Sequence, residues 1–79
     1  MNDRIKKILE KILNISLEQY KDADIKPSNI ETWDSLNHLN IVLSLEEEFD
    51  VKFETDEILE MLKDFTTIVD ILKKHGVDD

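Results

Sequence analysis

The scarcity of turn-forming residues constrains the fold of this chain more than any other feature. Its 79 residues include one glycine, Gly76, and one proline, Pro27. An all-β domain needs many tight turns, which these two residue types commonly supply. Cysteine is absent, so no disulfide or thiolate metal site can supplement a core that is barely large enough for one domain. These limits predict an all-α fold in a single domain over residues 1–79.

Apolar residues that recur at three- and four-residue spacing predict a small four-helix bundle with a short third helix. The predicted helices cover residues 3–15 with Asn2 or Asp3 as the cap, residues 35–49, residues 56–62 with Thr55 as the cap, and a last helix that Thr66 or Thr67 caps and Gly76 ends. Residues 77–79 are expected to fray. The predicted core comprises Ile5, Ile8, Leu9, Ile12, Leu39, Val42, Phe49, Ile58, Leu62, Ile68 and Leu72.

A long loop is predicted over residues 16–33, where the helical period is lost. Pro27 bars a continuous helix there, and turn-forming side chains surround it. Ile25 and Ile30 stand singly among polar residues, so we expect both to plug into the core. A loop of this length is uncommon in so small a domain and is often functional.

The second helix has an apolar arc wider than one core-facing stripe requires. Its edges at Leu36, Leu43 and Ile41 are therefore expected to be partly exposed. A polar strip lies opposite, formed by Asn37, Asn40, Ser44, Glu47 and Glu48. Two interpretations remain open at this point: a recognition surface, or a central helix that touches several neighbours.

The net charge of −9 is concentrated in the second half of the chain. Such a surface repels nucleic acid and anionic membranes and attracts basic protein patches, although acidity can serve solubility alone. The positive charges of the first helix are expected to face solvent with some contact to the acidic remainder; they belong to Arg4, Lys6, Lys7 and Lys11. No apolar run has the length of a membrane span and no signal-peptide core is evident, so we expect a cytoplasmic protein.

Catalytic and metal-binding patterns are not evident. Neither His38 nor His75 has carboxylates at the spacing of a metal site, and the acidic clusters lack the alternating ligands of a calcium loop. Ser35 and His38 are three residues apart on a helix, but no orienting carboxylate accompanies them. We therefore expect no metal and no catalysis by this chain alone.

Ser35 is the candidate functional residue because it stands at the start of the second helix. Backbone N–H groups and the helix dipole favour an anion there, so an exposed hydroxyl at this point suits a phosphodiester. The competing interpretation is an ordinary N-cap, for which serine is a preferred residue.

The chain resembles the acyl carrier protein family over nearly its whole length. The resemblance depends on Asp34-Ser35-Leu36 at the start of the second helix and on Leu45-Glu46-Glu47-Glu48-Phe49 near its end. Thr66-Thr67-Ile68 at the start of the last helix adds to it, as do the long first loop, the small size and the acidity.

The resemblance implies a carrier and not an enzyme. Ser35, flanked by Asp34 and Leu36, would bear a covalent 4′-phosphopantetheine transferred from coenzyme A by a phosphopantetheinyl transferase. The arm's thiol would hold an acyl group as a thioester for acyl-transferring or acyl-modifying enzymes with basic patches, and the carrier would be a monomer. The expected partner-binding residues are Asn37, Asn40, Leu43, Glu47, Glu48 and Asp56.

The chain departs from the familiar fatty-acid carriers at four positions, and these departures narrow the expected pathway. Asn37 and Asn40 stand where those carriers have acidic residues, while His38 and Trp33 replace residues that are usually small. Trp33 is expected in the core or as a shield for the arm, and His38 as a semi-buried residue or one that narrows an acyl pocket. We therefore expect a specialised lipid or secondary-metabolite pathway. An aminoacyl or peptidyl carrier and an unmodified acidic adaptor protein are the alternatives.

Overall fold

Four α-helices build the described part of the molecule. The computed structural model describes residues 2–77. The helices are α1 (Asp3–Leu13), α2 (Ser35–Phe49), α3 (Thr55–Glu60) and α4 (Phe65–Lys74), with two short 3-10 turns at Asp22–Asp24 and Pro27–Asn29. No strand occurs among these residues. The predicted all-α bundle with a long first loop and a short third helix is confirmed.

The caps of α3 and α4 lie upstream of the predicted caps. Glu54 caps α3 through a capping box in which Glu57 accepts a hydrogen bond from the Glu54 amide at 2.9 Å. Thr55 is therefore the first helical residue, and its prediction as the cap is wrong. A reciprocal pair of bonds from Glu54 and Glu57 satisfies two terminal groups, whereas a threonine cap satisfies one.

Asp64 caps α4, where a threonine cap was predicted. The Asp64 carboxylate accepts hydrogen bonds from both the amide and the hydroxyl of Thr67 at 2.8 Å. Neither Thr66 nor Thr67 is the N-cap. With the cap at Asp64, Phe65 enters the first helical turn and its side chain is fully buried.

The ends of α1 also differ from the prediction. Asn2 occupies the N-cap position in the left-handed conformation, and its side chain accepts no capping hydrogen bond. The helix ends two residues earlier than predicted because Asn14 turns left-handed, with φ of 56°. Asparagine tolerates this conformation better than most residues.

A Schellman motif closes α4 at Gly76. This glycine has φ of +85°, its amide donates to the Lys73 carbonyl, and the Val77 amide donates to the Leu72 carbonyl at 3.0 Å. Val77 is half-buried against the core, as such motifs favour. The prediction of fraying is therefore wrong for Val77, and Asp78 and Asp79 lie outside the described residues.

The first loop packs on the helices as a layer of the fold. Leu17, Ile25 and Ile30 are buried, which confirms the two isoleucine plugs. The Phe65 amide donates to the Ile25 carbonyl at 2.8 Å, and the Thr32 hydroxyl donates to the Leu13 carbonyl at 2.7 Å. The loop therefore reaches α2 in a defined position.

The predicted core is correct in part. Ile5, Leu9, Val42, Ile68 and Leu72 are buried. Four further predicted residues are half-buried against that core: Ile8, Ile12, Phe49 and Ile58. Further buried side chains include Leu13, Trp33, Leu45, Phe53, Met61, Phe65, Val69 and Ile71.

Three positions around α2 and α3 contradict the prediction. Leu39 is 53% exposed and Leu62 is 39% exposed, whereas Ile41, expected at an exposed edge, is fully buried. The buried stripe of α2 consists of His38, Ile41, Val42 and Leu45. A histidine occupies one place in that stripe. Because histidine is polar, hydropathy alone orients α2 by its leucines and predicts the wrong buried face.

The basic face of α1 makes the expected contacts with acidic residues. Arg4 pairs with Glu48 of α2 and lies over the Phe49 ring, 4.8 Å from its centroid. Lys6 pairs with Asp22 of the loop at 2.9 Å. Exposed pairs of this kind contribute little stability, about 0–1 kcal/mol each.

Candidate functional site: the amino terminus of helix α2

Ser35 is the first residue of α2, and its side chain is exposed. The N-cap is Asp34, whose carboxylate accepts a hydrogen bond from the Asn37 amide at 2.9 Å. The interpretation of Ser35 as the N-cap is therefore wrong. None of the side-chain hydrogen bonds around this terminus uses the Ser35 hydroxyl.

Backbone donors surround this hydroxyl. The amides of Ser35 and Leu36 belong to the first turn, where no intrahelical acceptor exists. Together with the positive end of the helix dipole they favour an anionic group. The Asp34 carboxylate offsets part of that field, although its bond to the Asn37 amide directs one oxygen into the helix.

Asn37 ties the end of the loop to α2. Its side-chain amide donates to the Thr32 carbonyl at 2.8 Å, and its side-chain oxygen accepts from the side-chain amide of Asn40 at 3.3 Å. Asn37 is half-buried and Asn40 is exposed. The first of these predicted partner-binding residues therefore also has a role within the fold.

His38 is a buried bridge between three segments. Its ring is 4% exposed, as is that of Trp33, and the predicted placement of Trp33 in the core is confirmed. The Trp33 indole N–H donates to Nδ1 of His38 at 3.1 Å, and Nε2 of His38 lies 2.8 Å from the Ile58 carbonyl oxygen. Trp33 belongs to the loop, His38 to α2 and Ile58 to α3.

These two partners define the chemical form of His38. An indole N–H can only donate and a carbonyl oxygen can only accept. Nδ1 of His38 must therefore be the acceptor and Nε2–H the donor, which is the neutral tautomer protonated at Nε2. Both ring nitrogens are engaged in this way, so His38 is not a base for Ser35.

The Ile58 carbonyl has no other donor in its helix. The amides that follow it bond elsewhere, Met61 N–H to the Glu57 carbonyl and Leu62 N–H to the Leu59 carbonyl. Terminal carbonyls of a helix need an outside partner. His38 therefore caps the carboxyl end of α3 from α2.

Exposed leucines lie on α2 and on and just after α3. Leu36 is 68% exposed and Leu43 is 61% exposed, as predicted for the edges of α2. Leu59 of α3 and Leu62 just after it are also exposed. The predicted acidic partner-binding residues are also exposed: Glu47 and Glu48 lie in the last turn of α2 and Asp56 lies on α3, although Glu48 is engaged by Arg4.

A pair that sequence reasoning missed lies between α3 and α4. Glu57 is buried, and its carboxylate lies 3.0 Å from Nε2 of His75. The hydrogen bond from the Glu54 amide lowers the pKa of Glu57, and His75 and the charge of Lys74 lower it further. The Glu54-x-x-Glu57 spacing is a recognisable capping signal, but the approach of His75 depends on tertiary packing.

Across residues 2–77, no group of three or more His, Asp or Glu side chains is assembled as a metal site. None of the helices in that range combines the length and the apolarity that crossing a membrane requires.

No protein-family model matches the chain, and no curated protein matches it.

Proposed function

We propose that this protein is a carrier whose Ser35 bears a covalent 4′-phosphopantetheine arm. The observation that carries the proposal is that Asp34, and not Ser35, caps α2. The Ser35 side chain is exposed and its hydroxyl makes no hydrogen bond within the described residues. A transferase can reach such a serine from solvent. The amino terminus of the helix also favours the anionic group that the transferase would attach.

The residues present fit a phosphodiester at Ser35. The Ser35 oxygen would form a new bond to phosphorus as a pyrophosphate P–O bond of coenzyme A breaks. The hydroxyl proton is lost, and adenosine 3′,5′-bisphosphate leaves. The first-turn amides of Ser35 and Leu36 would favour the resulting negative charge. A separate phosphopantetheinyl transferase would supply the catalysis.

The arm's thiol, when present, would hold an acyl group as a thioester. The surface around Ser35 would then present that group to partner enzymes. Acidic side chains steer towards Arg and Lys patches and make docking fast and sensitive to salt, while exposed leucines add apolar contact area. The predicted surface comprises Asn37, Asn40, Leu43, Glu47, Glu48 and Asp56.

The pathway is proposed to be a specialised lipid or secondary-metabolite route in the cytoplasm. Asn37 and Asn40 make the first half of α2 less anionic than in the fatty-acid carriers that the sequence resembles. Enzymes that recognise this carrier would therefore depend less on basic residues opposite that part of α2.

A second candidate is an unmodified acidic adaptor that binds a basic protein. The exposed Leu36, Leu39 and Leu43 on one helix favour it, because exposed apolar side chains in a group mark interaction surfaces. An adaptor needs no free hydroxyl at position 35, whereas a carrier does.

Intact mass after incubation with coenzyme A and a broad-specificity phosphopantetheinyl transferase separates the two. A carrier gains one phosphopantetheine per chain, and the Ser35→Ala variant gains none. An unchanged mass of the unsubstituted protein would favour the adaptor. The mass of the group recovered on the protein from cells would then distinguish acyl from aminoacyl or peptidyl cargo.

A further inference from the structure

We propose that His38 is a positioning residue that keeps the bundle closed beside Ser35, so that a group tethered to Ser35 is carried outside the helices. This inference rests on the proposed function and specifies how the cargo is presented. Its structural basis is the Trp33–His38–Ile58 bridge, which joins the loop, α2 and α3.

The two rings of the bridge flank Ser35 in the sequence, and both lie in the interior of the bundle. Trp33 precedes Ser35 by two residues and His38 follows it by three, and both rings are buried. The planes of the two rings are within 23° of parallel, and their centroids are 6.1 Å apart. A tethered apolar chain that entered between the loop, α2 and α3 would have to displace this pair.

Displacement would leave two buried polar groups without partners. The Trp33 indole N–H would lose Nδ1 of His38, and the Ile58 carbonyl would lose its outside donor. Leaving such groups unsatisfied is costly, so an entering chain would have to offset that loss with the apolar area that it buries.

Exposed leucines on the surface of α2 and α3 offer apolar contact to the cargo without that loss. Leu36 and Leu39 are exposed on α2, one and four residues after Ser35, and Leu59 is exposed on α3 next to Ile58. A cargo that rests there disturbs no hydrogen bond.

The chain contains the probes for a direct test. Trp33 is the only tryptophan, and the sequence has no cysteine. A Ser35→Cys substitution therefore introduces a unique thiol, and methyl or decyl methanethiosulfonate attaches a short or a long apolar tail to it. The emission maximum of Trp33 and its quenching by acrylamide then report whether the tail reaches the buried indole.

With His38 present, the methyl and decyl adducts should give the same Trp33 emission and quenching. With His38→Ala or the larger His38→Leu in the Ser35→Cys background, the decyl adduct alone should shift the emission and change the quenching. His38→Gln, which keeps one donor and one acceptor, should restore the insensitive behaviour.

Two results would overturn the inference. One is a shift in Trp33 emission that the decyl tail causes while His38 is in place. This comparison needs no variant of His38. The other is equal Trp33 signals from both adducts in folded His38→Ala and His38→Leu proteins. Loading of unaltered Ser35 by the transferase is measured separately by mass, so failure of the proposed function is distinguishable from failure of this inference.

Discussion

The indole N–H of Trp33 donates a hydrogen bond to Nδ1 of His38 across 3.1 Å, in the interior of the bundle. The opposite nitrogen of the same ring caps the carboxyl end of α3 at the Ile58 carbonyl. A helix of six residues is too short to be stable by itself. The position of α3 therefore depends on this side chain of α2, one turn from Ser35.

Replacing His38 with alanine should destabilise the protein by about 3 kcal/mol, because two buried polar groups lose their partners and a cavity remains. Its neighbour Leu39 is the matched control. Leu39→Ala should change the free energy of unfolding by no more than about 0.5 kcal/mol, since that side chain is exposed. Urea unfolding followed by circular dichroism measures both values. Equal losses at the two positions would contradict the assigned bridge.

Substitutions at Asp34 and Ser35 should affect different properties: the first should lower the free energy of unfolding, and the second should abolish the modification. Asp34→Ala should cost about 1 kcal/mol, since it removes the cap of α2. Ser35→Ala should change stability by no more than about 0.5 kcal/mol, because the hydroxyl makes no contact that the fold uses. Thermal unfolding and intact mass on the same samples provide the comparison. A large stability loss in Ser35→Ala would show that the hydroxyl supports the helix after all.

Glu57 should make stability depend on acidity. Its pKa is lowered in the folded protein by the Glu54 amide, His75 and Lys74. The folded state therefore binds a proton at this site less readily than the unfolded chain does. The resulting stabilisation is fully present above the ordinary glutamate pKa of about 4.3, and it is lost as pH falls through the lower folded value.

The Glu57→Gln variant measures this contribution. Urea unfolding at a series of pH values should show the unsubstituted protein more stable than the variant above about pH 4.3. The difference should shrink steadily on further acidification. A difference that stayed constant down to strongly acidic pH would mean that the Glu57 carboxylate gains nothing from its neighbours in the fold.

Asn37 and Asn40 should govern partner choice. An Asn37→Asp, Asn40→Glu double variant restores negative charge to the first half of α2 and should work better with housekeeping fatty-acid synthase enzymes. The first change also removes the donor to the Thr32 carbonyl, so a stability loss of about 1 kcal/mol is expected alongside. Acyl-transfer rates at low and high salt measure the effect. No gain at low salt would remove the support for this explanation.

The sequence predicted the parts of this fold that depend on local pattern. The long helices, the two isoleucine plugs of the loop and the burial of Trp33 follow from periodicity and from isolated apolar residues among polar ones. The caps at Glu54 and Asp64 do not follow from the sequence, because a threonine nearby is an equally acceptable cap. The capping box of Glu54 and Glu57 decides the first, and the tertiary packing of Phe65 decides the second.

The bridge at His38 could not be predicted, for a physical reason. The place of His38 on the helix predicts that it is semi-buried, but its partners are five and twenty residues away and no local pattern identifies them. The Ile41–Val42–Leu45 stripe, extended back by one turn, includes position 38. Hydropathy alone instead places Leu39 in the core and Ile41 at the edge.

The central claim is that Ser35 is a tether, and site-resolved mass analysis tests it most directly. The unsubstituted protein, Ser35→Ala and Ser28→Ala are incubated with coenzyme A and a phosphopantetheinyl transferase, then digested and mapped. Ser28 is the control because it is also exposed but lies in the loop. One phosphopantetheine on the peptide that contains Ser35, lost only in Ser35→Ala, is the predicted result. An unmodified protein, or a modification that persists in Ser35→Ala, would contradict the claim.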